Sequence, residues 1–130
     1  MSEAKVHKIL DNAYEKLFPT IFEFEIKKFP VILKAPEILY VEVKRNDVYI
    51  HAVDKVYKIR ESMRKITAMF DVPGFISTHR SYIINLEHYN TIKNNEVILK
   101  NGERIPLSRS KSESFFNALR EHIRRRKSNV

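Results

Sequence analysis

The side chains that could bind an anion stand at the ends of the predicted secondary-structure elements. Lys44, Arg45 and Asn46 occupy the polar tip between two β-rich runs, Arg80 lies in a long β-rich run, and Arg109 directly precedes the last predicted helix. An arginine presents a planar fork of donors that binds a phosphate or the guanine edge with two hydrogen bonds, and an asparagine can bind adenine in the same way. Each residue taken alone is better explained as a solvated charge or, for Asn46, as a turn residue that stabilises its own backbone. Together they favour a surface that binds nucleic acid, either DNA or RNA.

The charge of the chain is positive and unevenly distributed. The net charge is +8 with an isoelectric point near 9.7, and residues 100–130 hold nine Lys or Arg against three Glu, so this last quarter carries +6 of the total. A localised basic end in a small domain points to a polyanion, with nucleic acid first. Two alternatives stay open. The basic end could serve only solubility, or the chain could be an interaction module that docks an acidic protein partner through that end.

The residues do not favour an enzyme, and we expect no cofactor and no metal. The five histidines show no close metal-ligand spacing, there is no cysteine, and the two glycines, Gly74 and Gly102, cannot form a glycine-rich loop for a nucleotide. His79 could act as a general base beside a distant glutamate, but a single histidine among β-strands is usually a hydrogen-bonded structural residue. No apolar run approaches the ~20 residues of a membrane span, and the absence of cysteine fits a reducing compartment, so we expect a cytoplasmic protein.

The spacing of the apolar residues predicts one helix followed by a mainly β chain. Apolar residues three and four positions apart predict an N-terminal amphipathic helix over 3–18, whose face needs cover from its own domain or from a second copy. From Ile21 onward the period changes to two, which predicts strands with one buried face. A short helix over 62–70, with Ser62 as its N-cap, interrupts the β-rich part. The predicted strands, of which the first five are expected to form a meander, are Phe22–Ile26, Phe29–Lys34, Leu39–Val43, Val48–Val53, Val56–Ile59, Phe75–Ile84, Tyr89–Lys93, Glu96–Lys100 and Glu103–Leu107.

Two local signals stand on either side of the strand that leads to Arg109. Asn101-Gly102 is a strong hairpin signal, because both residues are expected to adopt a positive φ. The last helix is expected over 111–125, with Ser110 and Glu113 as a capping box. The basic residues 124–127 follow the last apolar residue and are expected to form a flexible end. The buried face of this helix is expected to consist of Phe115, Phe116, Leu119 and Ile123.

The same residues resemble a known family. The pattern F-x-x-x-HRSYIIN over 75–85, followed by the Asn-Gly hairpin and the ending I-P-L-S-R, resembles the LytTR DNA-binding domain. The upstream runs EILYVEV, VYIHAV and YKIRESMRKI agree, so the similarity covers roughly 22–123. The resemblance implies an α+β, mainly β fold of small antiparallel sheets with a central short helix, a C-terminal helix and, in this chain, an added N-terminal helix. It also implies a bacterial transcription regulator that binds tandem direct repeats of double-stranded DNA in promoters, bending the DNA as loops enter successive major grooves.

The resemblance assigns the DNA contacts position by position. The contact in the HRS motif falls on Arg80, with His79 beside it, and the arginine of I-P-L-S-R is Arg109. The third contact lies in the loop between the first two strands that follow Pro36, and it falls on Asn46, with Lys44 and Arg45 as neighbours that could serve instead. The expected DNA-binding residues are therefore Arg80, Arg109, Asn46, His79, Arg45, Lys44 and Lys111.

The expected domain organisation has three parts. They are an N-terminal helix over 1–20, the LytTR-like domain over 21–125 and a basic tail over 126–130. Members of the family are often attached to a phosphorylated receiver domain, which this sequence lacks, so we expect a standalone form. Control by abundance, by a separate inhibitory protein or by homodimerisation through the N-terminal helix stays open.

Overall fold

The computed structural model describes residues 20–128, and antiparallel strands make up most of it. The strands are β1 (Ile21–Ile26), β2 (Phe29–Lys34), β3 (Ile38–Lys44), β4 (Asp47–Ala52), β5 (Val56–Arg60), β6 (Phe75–His79), β7 (Tyr82–Asn85), β8 (Tyr89–Lys93), β9 (Glu96–Leu99) and β10 (Arg104–Pro106). The helices are α1 (Met63–Met69) and α2 (Ser112–Ser128), with 3-10 turns at Ala35–Glu37, Leu86–His88 and Arg109–Lys111. The α+β, mainly β fold expected from the sequence is confirmed, whereas the expected N-terminal helix lies outside the described residues.

The described strands form three antiparallel sheets. β1 and β2 form a hairpin, β8, β9 and β10 form a small meander, and the central sheet has the order β5-β4-β3-β7-β6. The expected meander is correct for β3, β4 and β5 but wrong for β1 and β2. The β1–β2 hairpin packs its apolar face onto the central sheet instead of extending the edge of that sheet.

The first hydrophobic core lies between the β1–β2 hairpin, α1 and one face of the central sheet. Period-two alternation in β1 buries Phe22 and Phe24, as the sequence predicted. The ring of Phe22 stacks on Phe70 at 4.6 Å between centroids and meets Phe75 edge-on at 5.3 Å. Ile66 of α1 is fully buried in the same cluster. Burial of each such side chain contributes about 1.5–3 kcal/mol, so this core fixes the α1 helix on the sheet.

The second core joins α2 to the opposite face of the central sheet and to the β8–β10 sheet. Phe115 and Leu119 are buried there, as expected. The expectation that Phe116 and Ile123 are buried is wrong, because their side chains are 38% and 45% exposed. A helix turns once in 3.6 residues, so the stripe that starts at Phe115 and Leu119 continues at His122, which is half-buried, and Ile123 rotates towards solvent.

The run Phe75–Ile84, expected to be one strand, is a hairpin. β6 ends at His79, β7 begins at Tyr82, and Arg80 and Ser81 form the turn between them. The turn contains no glycine, proline or asparagine, so the sequence carries none of the usual turn signals there. Arg80 therefore lies at the tip of a hairpin and not within a strand.

The Asn101-Gly102 hairpin forms, but not with the turn that the sequence predicted. Among the described residues of this loop only Gly102 has a positive φ, of 93°. The amide of Gly102 donates to the carbonyl of Leu99 at 2.8 Å, and the amide of Leu99 donates to Glu103 at 2.9 Å, which closes a three-residue loop. The two-residue turn with positive φ at both positions is instead Asn94-Asn95, with φ of 53° and 61°, between β8 and β9.

The cap predicted for α1 is confirmed, whereas the start and the end of α2 differ from expectation. Ser62 caps α1 as expected, since its side chain accepts from the amide of Lys65 at 3.2 Å. The prediction of a capping box formed by Ser110 and Glu113 is wrong, because Ser110 lies within the 3-10 turn 109–111, whose cap position is Ser108. α2 continues to residue 128, so residues 124–127, expected to form a flexible end, and residues 126–128 of the expected basic tail are helical.

Asn85 connects the end of β7 to the 3-10 turn that precedes β3. Its side chain is buried, and its Nδ2 donates to the carbonyls of Ala35 and Ile38, both at 2.9 Å. Its Oδ1 accepts from the amide of Glu87 at 3.0 Å. One side chain therefore satisfies three backbone groups where the chain enters and leaves the central sheet.

We predict that Asn85→Ala lowers the free energy of unfolding by about 2–4 kcal/mol, because buried backbone groups lose their partners. Urea denaturation followed by circular dichroism measures this loss. Asn90→Ala, at an exposed position of β8, is the matched control and should change stability by less than about 0.5 kcal/mol. Equal effects of the two substitutions would contradict the structural role of Asn85.

Candidate nucleic-acid interface

Three chain segments that are distant in sequence lie side by side at one end of the central sheet. The amide of Val43 in β3 donates to the carbonyl of Ser81 at 2.9 Å, and the amide of Ser108 donates to the carbonyl of Thr78 in β6 at 2.8 Å. These bonds bring together the β3–β4 turn, the β6–β7 turn and the 3-10 turn before α2. We call this surface, composed of residues 44–46, 79–81 and 109–111, the cationic edge.

The cationic edge has a length suited to duplex DNA. Neighbouring strands lie about 4.8 Å apart, and four such spacings lead from β4 across β3, β7 and β6 to Ser108, a row of about 19 Å. This length exceeds the width of a major groove, roughly 12 Å. A row of that length can place side chains in a groove while its ends reach the bordering phosphates.

Arg80, Arg109 and Lys111 provide free positive charge on this surface. Arg80 and Arg109 are exposed and Lys111 is half-buried, and within residues 20–128 none of the three forms an ion pair. Arg80 and Lys111 border a groove of about 370 Å³ that is lined mainly by apolar side chains such as Met63 and Ile83 and also by the carboxylate of Asp71. Apolar walls of this kind support the aliphatic stems of long cationic side chains while the charged heads stay in water.

The β3–β4 tip presents Arg45 and Asn46, whereas Lys44 is partly engaged. The Nζ of Lys44 lies 3.5 Å from Glu42 and 5.7 Å from the centre of the Tyr49 ring. Arg45 and Asn46 are exposed, and the carbonyl of Asn46 accepts from the amide of Glu61 at 3.1 Å. Arg45 has a φ of 61°, a left-handed conformation that favours glycine or asparagine. Arg45 thus occupies a backbone position that glycine or asparagine would adopt with less strain.

His79 supports the β6–β7 turn from inside. Its Nδ1 accepts from the amide of Ser81 at 3.1 Å, and its ring meets Tyr82 edge-on at 5.7 Å. The hydroxyl of Ser77 donates to the carbonyls of His79 and Tyr82, at 2.9 and 3.2 Å. These contacts leave only Nε2 of His79 for another molecule, so the geometry fits a residue that positions Arg80.

Glu42 is an acidic side chain of β3 that lies near the β3–β4 tip and is engaged by neighbouring side chains. Glu42 of β3 accepts from the hydroxyl of Tyr82 at 3.0 Å and also faces Lys44. Burial, followed by the contact with Glu42, raises the pKa of Tyr82, so the phenol keeps its proton and remains a donor. The carboxylate is thereby held within the sheet, where it opposes an approaching polyanion less than a free carboxylate would.

The structure adds residues that the sequence analysis missed. Arg60, at the end of β5, is exposed and pairs in register with Asp47, so it extends the cationic edge beyond Asn46. At the other end, the carbonyl of Asn95 accepts from the amide of Leu107 at 3.0 Å, which places the Asn94-Asn95 turn beside Ser108. Two adjacent asparagines between β-rich runs were a usable turn signal. The placement of Arg60 depends on sheet pairing, which no local pattern reveals.

The basic end of the chain is separate from the cationic edge. Arg124 and Arg125 pair with Glu121, at 2.8 and 3.5 Å, and Arg126 forms an ion pair with Glu87. Burial alone would raise the pKa of Glu87, but the hydrogen bond and charge of Arg126 outweigh it and lower that pKa. The 17 residues of α2 span about 25 Å, so these arginines lie far from the 3-10 turn at the start of the helix.

The described part of the chain contains neither a metal cluster nor a helix of membrane-spanning character. Residues 20–128 contain no group of three or more His, Cys, Asp or Glu side chains arranged to hold a metal ion. None of the described helices has the length and apolar character needed to cross a membrane.

Comparisons with known proteins point to one family. The model of the LytTr DNA-binding domain matches residues 30–120. Sensory transduction protein LytT of Enterococcus faecalis is 30% identical over 131 residues, covering 87% of this chain and 54% of that protein. Sensory transduction protein LytR of Streptococcus agalactiae is 30% identical over 98 residues, covering 72% of this chain and 38% of that protein. The chain thus spans about half, or less, of the length of these relatives.

A solved structure agrees in fold. A LytTr DNA-binding domain from Bacillus cereus superposes with a TM-score of 0.64 and 23% sequence identity. The match covers 77% of this chain and 96% of that one, so nearly the whole of the solved domain has a counterpart here.

The strained backbone of Arg45 gives a prediction that separates its charge from its conformation. We expect Arg45→Gly to raise the free energy of unfolding by about 0.5–1 kcal/mol, because glycine adopts the positive φ without steric cost. Arg45→Ala keeps the strained φ and should not be stabilised. Both variants should lose the same amount of affinity for duplex DNA, measured by fluorescence anisotropy. If only one of them loses affinity, the backbone of the turn, and not the cation, is what matters for binding.

Proposed function

The chain belongs to the LytTr DNA-binding domain family, and we propose that it acts as a sequence-specific transcription regulator that binds tandem direct repeats in promoters through the cationic edge. Family membership supports DNA as the partner. The residues that read the DNA, the repeat architecture of the target and the role of residues 21–125 as the complete DNA-binding unit are parts of the proposal.

One observation supports the proposal most directly. Turns from three separate parts of the chain are joined by backbone hydrogen bonds at one end of the central sheet, and they carry Arg80 and Arg109 on its surface. Neither arginine has an ion-pair partner within residues 20–128, and the nearby Glu42 is held by Tyr82 and Lys44. A rigid row of unpaired arginines suits the grooves and phosphates of DNA better than it suits a small ligand.

The proposed contacts divide into base readers and phosphate contacts. We assign Arg80 and Arg109 to guanine edges in the major groove and Asn46 to an adenine, since these are the pairs that their donors and acceptors match. Arg45, Arg60 and Lys111 carry charge towards the flanking phosphates. Lys44 and His79 support their own turns and contribute less to contacts with DNA.

The basic end of α2 does not favour the alternative of an interaction module for an acidic partner. Its arginines are engaged by Glu121 and Glu87, so a partner would first have to displace these carboxylates. The N-terminal segment, outside the described residues, leaves open a homodimer or an inhibitory partner protein as the means of control.

Selection of bound duplexes from a random pool tests the proposal as a whole. We expect the full chain to enrich one short sequence that occurs twice in the same orientation, with half-sites about one helical turn apart, roughly 10 base pairs. Enrichment without any recurring sequence would contradict sequence-specific reading and would favour a purely electrostatic contact.

We predict that Arg109→Ala costs about 1–3 kcal/mol of binding free energy at the selected site and relaxes the preference at one base position. The melting temperature should stay within a few degrees, because an exposed arginine contributes little to stability. Arg109→Lys should not restore the preference fully, since lysine lacks the planar donor fork. Arg80→Ala should act in the same way at a different base.

The matched control for this prediction is Arg120→Ala, which removes an exposed arginine from α2. It should leave the base preference unchanged in a competition assay with single-base variants of the site. An equal loss on all sequences for Arg109→Ala would make that residue a phosphate contact instead of a base reader. Loss of folding would make it structural.

We predict that Arg60→Ala weakens the selected site and random duplex to the same extent. Loss of one phosphate contact should reduce the slope of log K against log salt by about 0.9. Lys127→Ala removes the same charge at the far end of α2 and should leave the slope unchanged. Measurements at four or more salt concentrations would separate the two variants, and equal slopes would contradict the phosphate role of Arg60.

A further inference from the structure

The Asn94-Asn95 turn between β8 and β9 adds a fourth segment to the row of turns. The amide of Leu107 donates to the carbonyl of Asn95 at 3.0 Å, and the next residue, Ser108, is the one that bonds Thr78 in β6. The row therefore runs without a gap from the β3–β4 turn through the β6–β7 turn and the 3-10 turn to Asn94-Asn95. Asn95 and Thr78 thus bond neighbouring residues of the segment that leads to Arg109.

The two side chains are exposed and their amide groups are unused. Within residues 20–128, neither Asn94 nor Asn95 makes a side-chain hydrogen bond, whereas Asn85, Asn101 and Asn117 do. Asn85 binds two carbonyls, and Asn101 exchanges bonds with Glu103 at 2.8 and 2.9 Å. The amides at 94 and 95 thus keep both a donor and an acceptor pointing at solvent.

The backbone of the turn holds these amides in place. Both residues have positive φ, 53° and 61°, and Lys93 pairs with Glu96 directly beneath them. A two-residue turn of this kind has little freedom, so the side chains are presented on a rigid support. Asparagine tolerates a positive φ, which is sufficient to explain its presence in the turn. Substitutions that retain the positive φ but remove the amide separate that explanation from recognition.

We infer that the Asn94-Asn95 turn reads an A·T base pair next to the base contacted by Arg109. The inference rests on the proposed function and assigns a further specificity-determining point to the same surface. An asparagine side chain can donate to N6 and accept at N7 of adenine, and it carries no charge that would attract all sequences equally. The residues proposed to contact bases then follow one another along the DNA in the order Asn46, Arg80, Arg109 and the Asn94-Asn95 turn.

Glycine substitutions separate reading from turn formation. Asn94→Gly and Asn95→Gly remove the amide but retain the positive φ, so the turn and the thermal stability should be kept. Selection from a random pool with each full-length variant should recover the wild-type repeat with the preference for A·T lost at one position. Affinity for the wild-type site should fall about 5- to 150-fold for the variant that removes the reader, while affinity for random duplex stays the same.

Two further variants complete the design. Asn95→Asp keeps a turn-forming side chain and removes the donor, so the preference for adenine should be lost here too. Asn101→Ala removes an exposed asparagine at the opposite end of β9, whose amide already binds Glu103, and should leave base preference unchanged.

The outcomes distinguish this inference from the proposed function. If the wild-type chain selects a repeat and both glycine variants select the same repeat with equal affinity, Asn94 and Asn95 are turn residues only and the inference is overturned. If the wild-type chain selects no repeat, the proposed function fails and the reading role of the turn fails with it.

Discussion

The cationic edge depends on two backbone hydrogen bonds that join elements from separate parts of the chain. The bond from Val43 to Ser81 holds the β6–β7 turn against β3, and the bond from Ser108 to Thr78 holds the start of α2 against β6. Main-chain groups make both contacts, so Arg80 and Arg109 are not needed to hold the turns together. The long side chains at the tips are therefore free to contact another molecule while the strands behind them stay fixed.

The two hydrophobic cores make this arrangement rigid from both faces of the central sheet. The β1–β2 hairpin and α1 cover one face, and α2 with the β8–β10 sheet covers the other. The basic side chains at the two ends of the molecule also differ in their ion pairs. Arginines at the far end of α2 are paired with Glu87 and Glu121, while those at the cationic edge are not. Net charge alone pointed to the basic C-terminal end, but the distribution of ion pairs points to the opposite end of the molecule.

The parts of the fold that could be predicted from sequence are those with a local cause. Alternation in β1 gave its buried face, and Ser62 gave the start of α1, because both depend on residues a few positions apart. The turn at Arg80-Ser81 could not be predicted, since it contains no glycine, proline or asparagine and is held by Ser77, His79 and the neighbouring strand.

The candidate site followed the same division. Arg80 and Arg109 were identified from a family resemblance, whereas their proximity depends on the contact between β6 and the segment before α2. Arg60 and the Asn94-Asn95 turn join the same surface only through pairing between strands. No periodicity within a single segment contains that information, so the extent of the surface became visible only in the folded chain.

The two-residue turns at the tips have a consequence for how such a domain diverges. In a strand, one inserted residue moves every following side chain to the wrong face, and the buried valines of β3 and β4 would be exposed. Beyond the last paired residues, Lys44 and Asp47, an insertion changes only the length of the loop. Small insertions and deletions can therefore change the length and side chains of one tip at a time without disturbing the pairing of the strands below it.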